Sequence, residues 1–432
     1  MQFFIRTTVL ACGLALAASA QAAKPAKPAK ADAAPATPVE VTLTHQFGSV
    51  GEERLKALVE RFNSQHKGMT IQVVRQADGG KPGLLNLARR QDISEFLANK
   101  GAFKPLYQVM SEAKESFNPS AISPDLKAGV LDDKGKMIAL PVAYSTPVLF
   151  YNKNAFRRAK LDPEQPPKTW WEMQGVLDKL QDAGYKCPYT TSWPVWVHID
   201  NASALSGAPV ATGKGELAFN GLPQVKHIAM MATWQKANYF KSFGRRNEAD
   251  QHFMEGECAM ISTDSWLHTE FREAKGVELG VAPLPHHDDV YGGRQHTLAD
   301  GASLWIGGGF KPAEYKAAAK FISYLMSTDM QVEMARVYGS LPMTLAARNA
   351  LKSQAQKDRQ QTLDIAYASL KGEGATHPLR ISGIEPVRLI TDEELESVWA
   401  DKKPAKAALD TSVARGNAVL SAKPILKKAL PF

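Results

Sequence analysis

The chain has 432 residues, 44% hydrophobic and 22% charged, with a formal net charge of +8 and three cysteines. That length exceeds what one hydrophobic core usually serves, so two lobes are expected. The charge is too mild, and too little interleaved with aromatics, for a nucleic-acid-binding surface. Three cysteines without CxxC or Cys/His spacing give no metal motif.

The chain opens with Met1-Gln2-Phe3-Phe4-Ile5-Arg6, an apolar run over Thr8–Ala18, and Ala20-Gln21-Ala22. A charged start, an apolar stretch and an Ala-x-Ala site predict a signal peptide over residues 1–22. The run is shorter than the roughly 20 residues a membrane span needs. Val9-Leu10-Ala11-Cys12 looks like a lipoprotein box, but leaves a very short apolar stretch. Residues 23–38 repeat Lys, Pro and Ala, a composition that buries no core and predicts an extended tether. Without these two segments the net charge falls to +5. The mature protein is expected to be soluble and periplasmic.

Val39, Val41 and Leu43 alternate with polar residues and predict a strand. Leu55, Leu58, Val59 and Phe62 follow at helical spacing, and Thr70–Val74 predicts a second strand. Strand, helix, strand is a βαβ unit, so a parallel sheet is expected. Ile138–Val142 and Val148–Tyr151 read as strands flanking Tyr144-Ser145-Thr146-Pro147. Pro166-Pro167 breaks the chain before Thr169 and Glu172, spaced as a capping box that starts a helix. Phe253–Ile261 reads as a helix end, a turn at Gly256 and a short buried strand. Arg388 lies in Pro386-Val387-Arg388-Leu389-Ile390, read as a short apolar strand, before a second capping box at Thr391 and Glu394. Pro404 opens a last helix with Leu409, Val413 and Leu420 facing inward. Helices and strands alternate throughout, so the fold class is α/β.

Catalytic motifs are lacking: there is no Gly-x-Ser-x-Gly and no His-Glu-x-x-His. Gly207 and Gly213-Lys214-Gly215 imitate a phosphate loop, with one residue too many and no Ser or Thr after the lysine. His286, His287, Asp288, Asp289 and His296 could gather a metal, but a solvated loop after the strand Leu279–Ala282 is the simpler reading. Cys187 and Cys258 remain after export; that compartment permits a disulfide, and two buried thiols are the alternative. Trp193 and Trp196 flank Pro194, where a loop is expected. On general grounds such a pair is more often core; exposed, it can stack on a polyol or enclose a quaternary ammonium. Arg388 among apolar neighbours needs an anionic partner, because an unpaired buried charge is costly.

Several long stretches carry a resemblance. They are Ser145–Leu149 with Tyr151–Phe156, Leu161–Trp170, Gln224–Met230, Gly301–Trp305 and Ile390–Trp399. In these the chain resembles the sn-glycerol-3-phosphate-binding branch of the extracellular solute-binding family, periplasmic components of ATP-driven importers that also include maltose-binding proteins. The resemblance covers most of the chain from about Leu140 onward. It implies a type II periplasmic-binding fold with two α/β lobes, hinge strands and a ligand cleft between them. The lobes are expected at 39–146 plus about 298–340, and about 147–297 plus 341–432. It further implies a monomer without catalysis, cofactor or metal, which closes on its ligand and is recognised by the transmembrane subunits of an ABC permease.

Carried over by position, Ser145 matches a ligand-bonding serine and Gly301 a glycine whose backbone nears the ligand. Arg388 matches an arginine that grips phosphate bidentately. Trp193 and Trp196 match an aromatic pair near glycerol. Other contacts are replaced. The short stretch Arg75–Lys81 leaves out a ligand tyrosine, a glutamate position falls at Arg89-Arg90-Gln91, a serine becomes Asp264 beside Ser265, and a second tyrosine becomes Ser340. The expected ligand is therefore small and anionic: glycerol-3-phosphate, or a glycerophosphodiester such as glycerophosphocholine. In the latter, Asp264 and the tryptophans would face the ammonium, Arg388 the phosphate, and Arg89 or Arg90 would add a contact. A different polyol or sugar is the alternative; a periplasmic hydrolase is a third.

Overall fold

The computed structural model describes residues 38–45, 49–76, 82–89, 102–132, 134–212, 214–289, 296–352, 357–370 and 384–422. The signal-peptide and tether readings over residues 1–37, and Arg90, lie outside them.

Two mixed sheets organise the chain. The first comprises β1 (Val39–His45), β2 (Met69–Arg75), β3 (Leu85–Arg89), β4 (Leu140–Ser145) and β9 (Asp300–Ile306), in the order β2-β1-β3-β9-β4. The second comprises β5 (Pro147–Asn152), β6 (Cys187–Thr191), β7 (Cys258–Asp264) and β8 (Leu279–Pro283), in the order β6-β7-β5-β8. The expected βαβ unit is present: β1 and β2 pair in parallel, joined by the Ser49–Gln65 helix. An all-parallel sheet is not. β9 returns from the second sheet and inserts antiparallel between β3 and β4, and β5 runs antiparallel to both neighbours. Every residue of β4 and β5 is buried, as befits strands covered on both faces.

Each sheet has its own apolar core. In the first lobe Leu55, Leu58, Val59 and Phe62 pack with Val41, Leu43, Leu304 and Phe321. In the second, Leu149, Trp170, Leu177, Trp196, Trp234 and Met260 pack together. The helix over Trp170–Asp182 starts at the anticipated box: Thr169 accepts from the Glu172 N–H at 3.0 Å, and the Glu172 carboxylate accepts from the Thr169 N–H. Cys187 and Cys258 face each other across β6 and β7 and form a disulfide, which settles the choice left open by the sequence.

The stretch around Arg388 corrects the sequence reading. Ile384–Trp399 is one continuous helix, with Arg388 in its second turn rather than in a strand. Thr391 caps nothing; its hydroxyl donates to the Val387 carbonyl inside the helix at 2.8 Å. Glu394 instead accepts from Lys403 and Arg415. Pro386 is accommodated because the first turn leaves its N–H positions unpaired in any case.

The chain passes from one sheet to the other at a single residue, Thr146, between β4 and β5. The return to β9 runs alongside. Thr146 Oγ1 lies 2.5 Å from Thr297 Oγ1 and donates to the Leu298 carbonyl at 3.3 Å. Residue 265, just past β7, joins the same place through its N–H to the Thr146 carbonyl at 3.0 Å.

Candidate functional site

A cleft of about 770 Å3 opens where the two sheets meet. Leu43, Arg54, Val142 and Tyr338 line it from the first lobe's side; Trp193, Arg246, Asp250, Asp264 and Trp266 line it from the second. This is a common size for a small-molecule site.

Asp264 on the cleft wall is bonded by Ser145 behind it. The ends of β4 and β7 bring them together, and the Ser145 hydroxyl donates to Asp264 Oδ1 at 2.6 Å. Both are buried. Ser265 turns to the crossing instead, its hydroxyl accepting from the Thr146 N–H at 3.4 Å. Gly301 has a packing reason to lack a side chain. An added Cβ would lie 2.0 Å from the Ala143 carbonyl oxygen and 2.7 Å from Tyr144 Cα, so β9 could not sit against β4. Ser340 is buried after Gly339, whose positive φ of 71° and closeness to the Trp266 backbone suit glycine alone. Arg89 sits in β3 opposite Ala302; its side chain lies outside the described atoms.

The tryptophans part company. Trp196 is only 2% exposed and belongs to the second lobe's core. Trp193 lines the cleft with a left-handed backbone, φ 54°, which is uncommon for a bulky residue. Its N–H donates to the Arg246 carbonyl at 2.7 Å. The Arg246 guanidinium sits over the indole, 5.5 Å from the ring centre.

Arg388 does have acidic partners, and they are the protein's own. It donates to Asp200 at 3.2 Å and to Glu385, one turn earlier, at 3.2 Å. Burial works to lower its pKa, but Asp200, Asp300 and Glu385 outweigh burial and raise it. Among the described residues its Nε finds no acceptor, and Asp392 Oδ1, one turn later on the same helix, finds no donor. Asp200 comes from a π-helical turn, Trp196–Asn201, an irregularity often found at functional sites. Sequence reasoning missed Asp200, Glu385, Asp250 and Arg246. The GRRN motif at 244–247 carried the only signal for the last, and it does not distinguish Arg246 from Arg245, which pairs with Glu396.

The histidines do not converge on a metal. His198, His227 and His287 form a hydrogen-bonded file, with links of 2.9 and 3.1 Å, against the Trp170 ring. Burial pushes His198 down to about 3 and His227 well below its usual value, so both are neutral. Asp289 pairs with Lys226. Among the described residues no metal-holding cluster of three acidic, His or Cys side chains occurs.

Comparison with known proteins agrees with this architecture. Residues 57–361 match the family described as bacterial extracellular solute-binding protein. The sn-glycerol-3-phosphate-binding periplasmic protein UgpB of Pectobacterium atrosepticum is 36% identical over 398 residues, 86% of this chain and 89% of that one. The protein of the same name from Escherichia coli O6:K15:H31 is 34% identical over 96% of both chains. Among solved structures, UgpB from Mycobacterium tuberculosis in complex with glycerophosphocholine superposes with a TM-score of 0.73 at 16% identity, covering 89% of this chain and 98% of that one. Maltose-bound MalE3 of T. maritima gives 0.72 at 19%, covering 88% and 100%. These two share the fold. Two sheets joined by paired crossings, a cleft at the junction and this degree of identity lead to one conclusion: the chain belongs to the bacterial extracellular solute-binding protein family.

Proposed function

We propose that the protein is the periplasmic binding component of an ABC importer, and that it captures sn-glycerol-3-phosphate or a glycerophosphodiester such as glycerophosphocholine by closure of its lobes. The observation that carries this reading is the 36% identity, over most of both chains, to a sn-glycerol-3-phosphate-binding periplasmic protein. The cleft supports it by its content: Asp264, held by Ser145, an indole face for the carbon skeleton, and the Arg246 guanidinium for phosphate. The lobes are assigned to 39–146 plus about 298–340 and to about 147–297 plus 341–432. The protein acts as a monomer and hands its ligand to the permease without chemical change.

Asp264 and the acids around Arg388 favour the diester over the monoester. A carboxylate beside a dianionic phosphate is repulsive, whereas the ammonium of a phosphocholine group suits Asp264 and the Trp193 face. Isothermal titration with both ligands tests this. Saturable binding, tighter for glycerophosphocholine and without choline release, is expected. Equal or tighter binding of glycerol-3-phosphate, unchanged by Asp264→Ala, defeats the diester preference. Binding of sugars but of neither phosphate defeats the whole assignment.

A further inference from the structure

The cleft's cations are not equivalent. Arg54 faces Glu270 at 3.4 Å. Arg388 is engaged by Asp200 and Glu385, and Glu385, not Arg388, stands on the cleft wall. Arg246 differs from both. It lines the cleft, and among the described residues no carboxylate lies within ion-pair distance of its guanidinium. Asp392 acts on it through space from a largely buried site, without an ion-pair contact, and the other nearby acids are occupied. Asp250 accepts from Ser192 and Thr263, Asp264 accepts from Ser145, and Glu396 holds Arg245.

The Arg246 backbone is pinned on both sides. Its N–H donates to Glu248 at 2.7 Å, and its carbonyl accepts from Trp193 at 2.7 Å. The side chain lies over the Trp193 ring. A guanidinium drawn to an aromatic face keeps N–H groups for an acceptor, and its planar fork suits two oxygens of an oxyanion. The left-handed backbone of Trp193 is the strained element that turns the indole into this seat.

We propose that Arg246, seated on Trp193, is a specificity-determining residue that binds the ligand's phosphate in this protein. It supplies a guanidinium that is in no ion-pair contact among the described residues, whereas Arg388 is tied to two carboxylates. The inference rests on the phosphate-ligand reading above, and its failure can be told apart from failure of that reading. Arg246→Gln and Arg246→Lys are compared with the intact protein by isothermal titration against sn-glycerol-3-phosphate and glycerophosphocholine, at low and high salt. Circular dichroism and melting temperature check the fold.

A charge-assisted bidentate contact predicts that Arg246→Gln weakens both ligands by about 10- to 100-fold, with a shallower salt dependence and an unchanged melting temperature. Arg246→Lys should fall between, because it keeps the charge but loses the planar fork. If the intact protein binds and Arg246→Gln binds equally well, Arg246 is not a ligand group. If Arg246→Gln loses affinity only in step with a lowered melting temperature, and Arg246→Lys does the same, the role is structural and the inference is wrong. If the intact protein binds neither phosphate compound, the ligand reading itself falls, and this inference with it.

Discussion

Asp250 illustrates how a cleft residue is tuned by its surroundings. Burial is the largest influence on its carboxyl and pushes the pKa up to about 7; the Ser192 hydrogen bond works the other way, and Asp264 adds to the rise. The folded state therefore holds a proton that the unfolded chain releases near pH 4. Its contribution to stability is full below pH 4 and is lost as pH rises toward 7. Asp250→Asn can keep the acceptor for Ser192 and Thr263. Its stability relative to the intact protein, read from urea melts, should rise between pH 4 and 7 and stay raised above. Arg388 shows what the sequence could and could not say at this scale. A cation among Val387, Leu389 and Ile390 announces a need for carboxylate. Which carboxylate is a tertiary matter, because Asp200 lies 188 positions away. Arg388→Met leaves Asp200 and Glu385 without their shared partner, so it should cost stability by about 3 kcal/mol or more, as broken buried pairs do, measured by chemical denaturation.

Among elements, the strands and most helices were legible because periodicity and capping residues state them locally: β1, β2, the Thr169 box and the turn at Gly256 all stand where the pattern puts them. The Ile384–Trp399 helix was misread because Pro386 and the β-branched Val387 and Ile390 suggest a strand. The apolar spacing of Leu395 and Val398 in fact continues backward through Thr391 and Val387 to Ile384, all buried on one face. The π-helical turn at Trp196–Asn201 has no local signature, so the division of labour between Trp193 and Trp196 was not readable. Two elements carry predictions. The disulfide closes a separation of 71 residues between adjacent strands. The chain-entropy relation sets its worth at roughly 4 kcal/mol at most, and a Cys187→Ala, Cys258→Ala double variant should lose stability up to that amount in guanidinium melts. Gly301→Ala should unfold at visibly lower denaturant, by more than about 2 kcal/mol, because its methyl group would collide with the β4 backbone.

For the molecule as a whole, two lobes were foreseeable from length and alternation, but the insertion of β9 between β3 and β4 was not, since only pairing in space defines it. Across the cleft, Arg54 of the first lobe's helix faces Glu270 of the segment after β7. Both side chains are substantially exposed, and such pairs are worth about 1 kcal/mol or less. Arg54→Ala should therefore change ligand affinity by no more than about fivefold, a shift that titration resolves. Bound ligand should in turn raise the melting temperature, by an amount that grows with the logarithm of its concentration above saturation.

In the proposed closure, Thr146 and its neighbour Thr297 would serve as the pin of a pair of tongs. Torsion confined to that spot moves nearby atoms hardly at all, while the far rims sweep a wide arc. A reporter dye placed at the tips would thus register ligand capture strongly, and one beside the pin would stay silent.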